Sequence, residues 1–256
     1  MEAETKTEYL QRASKKYARA PITEAIIEIR VRPSSGVTGI SCKEALEAIK
    51  KEYPDATDLM KMEAEIRGGP QVGALATQAL NGCARRSDER RQVVTAMPDR
   101  FAFSQLQPYA AWEEFQPTAK SLWRSYALAL KPEAVTRIAT RFVNRIELPL
   151  PVSELGKYLL TAPTLSPMMP QKEIAGAFMQ LQLPQKDLRC NVLLNLAILP
   201  PGESTFPVIL DTDISDEGEF SALEDDLVWA RLEEFRWRKN EIFEACVTDE
   251  VRSLIS

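Results

Sequence analysis

Histidine is absent from all 256 residues of this chain, which removes the commonest general acid/base and the imidazole metal ligand together. Ser-His-Asp, Cys-His and His-Glu-x-x-His mechanisms are thereby excluded. Cysteine is scarce: Cys42, Cys83, Cys190 and Cys246 lie at least 41 residues apart. No Cys-x-x-Cys pair exists to build a zinc ribbon or a thioredoxin-type centre, so buried reduced thiols are expected, with no metal and no cofactor. The ten glycines form neither G-x-G-x-x-G nor G-x-x-x-x-G-K-[ST], the loops that cradle phosphates in dinucleotide and P-loop sites. No uncharged apolar run approaches the ~18 residues of a membrane span, and Met1 to Ala20 is polar where a signal peptide needs an apolar core. A cytoplasmic protein without a membrane role is the expectation. The net charge of −5 also lacks the basic footprint of a dedicated nucleic-acid binder, although a local basic patch stays open.

What is present is periodicity. Ala25, Ile27, Ile29 and Val31 alternate with Glu24, Glu28, Arg30 and Arg32, the period of a half-buried strand. Ser41 and Glu44 suggest a capping box ahead of a helix, with Pro54 as its stop. A second strand runs from Met60 to Ile66 and closes at Gly68-Gly69-Pro70. The stretch from Gln71 to Arg91 has no clear period, and its charge run from Arg85 reads as a solvated loop or strand end. Pro98-Asp99-Arg100 joins two strands as a hairpin, and Trp112 to Leu130 reads as a helix interrupted near Pro117, with Trp123 and Tyr126 on one face. From Val135 onward, Ile138, Phe142, Ile146 and Leu148 oppose Arg137, Arg141, Arg145 and Glu147. A short helix from Ser153, a proline-rich loop, strands at Ile174–Leu183, Leu188–Leu199 and Phe206–Asp211, and a helix from about Ser221 to Cys246 complete the chain. The stripe of that last helix is Val228, Leu232, Phe235, Ile242 and Cys246.

These elements repeat. Glu28-Ile29-Arg30-Val31 is answered by Arg145-Ile146-Glu147-Leu148, Trp112 by Trp229 at a distance of 117 residues, and Glu113-Glu114-Phe115 by Glu233-Glu234-Phe235. The expected fold is α+β: an N-terminal arm (1–20) and two internally duplicated β-α-β-β-β-α halves (21–131 and 132–256). Their antiparallel sheets are covered by helices and packed as one globular unit. A period this long and this few in number is no solenoid.

Three constellations are candidates for chemistry. Arg137, Arg141 and Arg145 share one strand face and could hold an anion or an acidic segment by bidentate contacts, or stand in a cross-strand charge ladder. Arg231, Arg236, Arg238 and Lys239 stand beside Trp229 and Trp237 on the last helix, with Arg236, Trp237 and Arg238 as the candidate binding residues, a pattern suited to stacking bases or gripping phosphates or to plain i, i+4 stabilisation. Asp211, Asp213, Asp216, Glu217 and Glu219 form the densest acidic cluster. Their spacing departs from a calcium loop, so a polar loop leading into the last helix is expected. Asn144, opposite the arginines, reads as a buried structural clip.

Ala20-Pro21-Ile22-Thr23-Glu24-Ala25, Arg141-Phe142-Val143-Asn144-Arg145-Ile146 and the trio Arg238, Asn240 and Phe243 together resemble a sporadically distributed bacterial family of about this length to which no activity is attached. The resemblance implies an exchangeable accessory protein, of the kind carried with phage-defence or regulatory systems, and it implies no catalytic residue. The expected function is therefore non-catalytic binding of a protein partner, with a homodimer possible. A binder of an anionic small ligand or nucleotide with an arginine-lined cleft is the alternative, and a metal-dependent nuclease built on the Asp211 cluster is the second.

Overall fold

The computed structural model describes residues 15–67, 73–89, 91–152, 154–171, 174–221 and 225–256. Most of the expected N-terminal arm, the Gly68-Gly69-Pro70 turn and the Ser153 helix start lie outside the described residues. The strands are β1 (Ile22–Arg32), β2 (Asp55–Arg67), β3 (Gly73–Arg86), β4 (Gln92–Met97), β5 (Arg100–Leu106), β6 (Ala134–Pro149), β7 (Ala177–Gln185), β8 (Cys190–Ile198) and β9 (Thr205–Phe220). They form one sheet in the order β2-β3-β4-β5-β1-β6-β9-β8-β7, and every pairing is antiparallel. The helices are α1 (Gly39–Ala45), α2 (Trp112–Leu130), α3 (Asp225–Cys246) and α4 (Asp249–Ile255), with 3-10 turns at Leu46–Ile49 and Leu155–Lys157. The fold is thus α+β, a large antiparallel sheet flanked by helices.

Both halves of the chain contribute to this sheet, through the β1–β6 pairing in which Ala25 lies opposite Phe142 and Ile29 opposite Ile138. Each half opens on a central strand that pairs outward with that half's last strand, β1 with β5 and β6 with β9. The halves are unequal, however: the first has five strands, and the second answers α1 with only the turn at Leu155–Lys157. The extra strand is β3, in the stretch without a readable period. Its long partner β2 places it, since a ladder supplies the order that local alternation does not.

One face of the sheet packs against the helices. Ala25, Ile27, Ile29 and Val31 are buried there as their alternation predicts, beside Phe101, Phe103, Phe142 and Ile146. Trp123 and Tyr126 of α2 both meet Phe101 at centroid distances of 5.7 Å, and Phe115 stacks on Phe103 at 5.2 Å, contacts that add to the burial of the rings themselves. The expected interruption at Pro117 does not occur. Helix α2 runs through it, because a missing N–H forfeits one hydrogen bond while Trp112, Phe115, Leu122, Trp123 and Tyr126 all gain burial on the same helix.

Two other expectations are corrected. The cap of α1 is Thr38, whose hydroxyl accepts from the Ser41 amide in a Thr38–Ser41 box, three residues before the expected start. Gly39 then sits so close to β3 that a Cβ there would lie 2.2 Å from the Leu80 carbonyl oxygen. Gly39→Ala is expected to lower stability by more than about 2 kcal/mol, because backbone and not a flexible side chain must give way. A denaturant midpoint equal to the parent's would refute this. The second correction is β9, which continues to Phe220 instead of ending at Asp211. The acidic cluster expected as a loop is strand, because cations from other elements meet its acids there: Asp211 pairs with Arg141, Asp213 with Arg137, Asp216 with Arg231 and Glu219 with Arg32, and such pairs override the weak strand propensity of aspartate.

Candidate ligand cleft

The open face of the sheet carries the arginine row, and each member is paired. Arg137 donates to Glu28 at 2.6 Å and to Asp213 at 3.4 Å, Arg141 grips Asp211 with two bonds of 2.9 and 2.8 Å, and Arg145 donates to Glu147 at 2.6 Å. Asp211 also accepts from Asn195 at 3.0 Å, and Asn195 accepts from Gln180 at 2.8 Å. A polar ladder therefore runs from β1 to β7 across that face. Asp211 and Asp213, the carboxylates a nuclease centre would need, are both taken up in it, and no group of three or more metal-ligating side chains exists among the described residues.

On α3 the predicted trio is divided. Arg238 pairs with Asp187 and with Glu241 at 2.7 Å. Trp237 is exposed, with the Arg236 guanidinium 5.0 Å from its ring centre. Arg236 itself bonds Glu113 at 2.8 Å and Glu233 at 2.9 Å, tying α3 to the start of α2. The same two helices are joined by the Trp112 indole donating to Glu233 and by Gln116 donating to the Trp229 carbonyl at 3.2 Å.

Beneath this junction, on the helix side of the sheet, lies a cleft of about 650 Å³. Its wall is made by the segment before β1 (Lys15 to Ile22), the connection before α2 (Gln107 to Glu113), Asn144 of β6, and Arg236, Lys239, Asn240, Phe243 and Glu244 of α3. The strings that carried the family resemblance meet here: Ala20-Pro21-Ile22, Asn144 with Phe142 at the site, and Asn240 with Phe243. They lie about a hundred residues apart or more in sequence, and the central β1–β6 pairing, with α3 across the cleft, brings them together.

No protein-family model matches the chain, and neither does any curated protein. The cleft wall carries Lys15, Lys16, Arg19, Arg236 and Lys239 against Glu113 and Glu244, a positive surplus in a chain whose net charge is −5. Lys239 stands apart. Its Nζ lies 4.1 Å from the centre of the Phe142 ring, a cation–π distance, and no carboxylate among the described residues pairs with it. Burial, reinforced by the neighbouring Arg236 and only partly offset by the Glu244 carboxylate in the same cleft, pulls its ammonium from the usual lysine range down to about 7.

The floor next to Lys239 is fixed from two sides. Asn144 donates from Nδ2 to the Leu210 carbonyl at 3.2 Å, the structural clip its alternation suggests. Glu244 is buried, accepts from the Tyr17 hydroxyl at 2.7 Å, and is held by Arg252 of α4, whose Nε lies 2.7 Å from Oε2. Burial, together with the Glu244 carboxylate, pushes the Tyr17 phenol upward, so it remains a hydrogen-bond donor at neutral pH. Tyr109, Trp112 and Phe243 supply aromatic walls, where burial likewise raises the Tyr109 phenol.

The sequence places Lys239 among the basic residues of the last helix but does not single it out, because Arg236 to Lys239 looks like part of a solvated charged face. The signal was nevertheless available. In the stripe Leu232, Phe235, Ile242 and Cys246, the inward position between Phe235 and Ile242 falls on residue 239, at i+4 and i−3. A lysine on an apolar stripe is a desolvated charge, and that pattern identifies it. Helix α4, and with it Arg252, was not anticipated at all: seven residues are too few for periodicity to speak.

Proposed function

We propose that this protein binds a small amphipathic anion in the cleft, its carboxylate or phosphate at Lys239 and its flat apolar part against Tyr109, Trp112 and Phe243. The carrying observation is Lys239, a cation over an aromatic ring with no carboxylate partner among the described residues. A bound anion would supply the missing countercharge. The volume falls in the ~300–1,000 Å³ range of small-ligand sites, where a few convergent polar groups orient a mostly apolar ligand. This departs from the arginine row as the binding element, since those guanidiniums already have partners, and it favours ligand recognition over a macromolecular surface alone.

The proposal keeps the cytoplasmic accessory role implied by the family resemblance, with ligand occupancy read by a protein partner. No helix among the described residues is long and apolar enough to cross a membrane. The proposal also includes an origin by internal duplication, supported by the matching outward strand orders of the two halves and by the antiparallel contact of the two tryptophan-bearing helices.

The test is calorimetry with aromatic carboxylates and nucleoside monophosphates at pH 7, in two buffers of different ionisation enthalpy. An anion that binds at Lys239 raises its pKa, so binding should take up about half a proton. Trp112, in the wall, should change its fluorescence in the same titration. Binding without proton uptake would move the anion away from Lys239, and no binding by any member of the panel would overturn the proposal.

A further inference from the structure

Resting on that binding reading, we propose that the Lys239 amine captures the ligand covalently and reversibly, as an imine, and that the ligand class is an aromatic or otherwise apolar 2-oxo acid. Three features of the cleft place nucleophile, charge and shape together. The amine is held on the Phe142 face at 4.1 Å with no carboxylate among the described residues to fix its proton. The cationic surplus of the wall suits a carboxylate, and Tyr109, Trp112 and Phe243 suit an apolar substituent. A 2-oxo acid joins carboxylate and electrophilic carbon in adjacent positions, so a single pose satisfies both.

The amine is also in the right state. Desolvation and a neighbouring cation, here Arg236, are the two means by which proteins free a lysine for attack on carbonyls. A lysine that titrates near 7 is about half unprotonated at neutral pH, whereas a surface lysine is almost entirely ammonium.

The step balances without a redox partner. The Nζ lone pair forms the N–C bond to the 2-oxo carbon while the C=O π pair moves to oxygen, which takes a proton and gives a carbinolamine. Loss of that hydroxyl as water, with release of the remaining Nζ proton, leaves the imine. The two protons given up by Nζ balance the two carried off in the water, exchanged through the solvent of the cleft, while the Tyr17 hydroxyl in the same wall stays engaged with Glu244 at 2.7 Å.

The probe is phenylpyruvate with cyanoborohydride, which reduces an imine to a stable secondary amine, followed by proteolysis and mass spectrometry. Phenyllactate, of the same shape and charge but without the carbonyl, serves as the non-reacting analogue. Labelling is expected on Lys239 at least tenfold over any other lysine, half-maximal near pH 7, suppressed by excess phenyllactate and absent in Lys239→Arg. Labelling spread evenly over the lysines, or unchanged by Lys239→Arg, would overturn the inference. If phenyllactate binds with proton uptake but phenylpyruvate leaves Lys239 unlabelled, covalent capture falls and anion binding stands. If phenyllactate and the other anions all fail to bind and Lys239 stays unlabelled, both fall.

Discussion

Lys239→Met should make the protein more stable and, in the same molecule, abolish anion binding. In the folded state the ammonium is desolvated and its pKa drops from 10.5 to about 7. In the unfolded chain it is hydrated and binds its proton up to the ordinary lysine range. Below pH 7 both states are protonated and the folded state carries the whole desolvation cost. Between pH 7 and 10.5 the unfolded state binds more protons, so stability rises with pH and the cost fades. Methionine fills a similar volume without a charge. Its gain should be about 1–3 kcal/mol at pH 6, less than the full shift implies because the amine faces the cleft. That is about 2–4 °C of melting temperature per kcal/mol for a chain of this length. At pH 9 the gap between variant and parent should narrow, by at most about 1.4 kcal/mol per pH unit. Melts at the two pH values, together with the calorimetric titration, check both halves. A destabilised variant that still binds the anion would show Lys239 to be a packing residue only. A residue whose removal stabilises the fold while ending binding is retained for function.

Arg252→Met should have the opposite character, a loss of about 3–5 kcal/mol. Arg252 bonds Glu244 Oε2 at 2.7 Å, the Glu244 carbonyl at 2.6 Å and Asp249 at 2.8 Å, and both Arg252 and Glu244 are buried. Removing the guanidinium leaves a carboxylate out of water with the Tyr17 hydroxyl as its remaining hydrogen-bond donor among the described residues, and an uncompensated buried charge is among the costliest point defects. The double variant Arg252→Met with Glu244→Leu should recover much of the loss, since a vacated ion pair can be replaced by apolar packing. Denaturant unfolding of the four proteins gives the coupling energy directly. Additive losses would mean that the two side chains act independently. The cleft should suffer with the single variant, because Tyr17, whose ring also meets Phe243 at 6.3 Å, anchors the segment before β1.

The alternation in β1 and β6, the hairpin of β4 and β5 and the stripe of α3 were readable because each is local: a period of two or of 3.6 needs only neighbours in the chain to be expressed. The acids after Asp211 were misread for the same reason. By themselves they prefer loop, and cations from other elements, Arg137 of β6, Arg32 of β1 and Arg231 of α3, make them strand. Strand β3 was unreadable because its order comes from its partners. The arginine row was visible in sequence, but whether those cations were free or paired depended on which strand the topology set beside them.

The sequence by itself determined that this is an α+β chain with a half-buried antiparallel sheet, without histidine chemistry or a phosphate-binding glycine loop, because composition and periodicity are properties of the chain alone. The tertiary structure alone decided that one continuous sheet joins the halves, that the open-face arginines are neutralised, and that Lys239 lies in a cleft of about 650 Å³ with no carboxylate among the described residues paired to it. Those are facts about distance and desolvation between segments remote in sequence, and a charge acquires its meaning only when its neighbours in space are known.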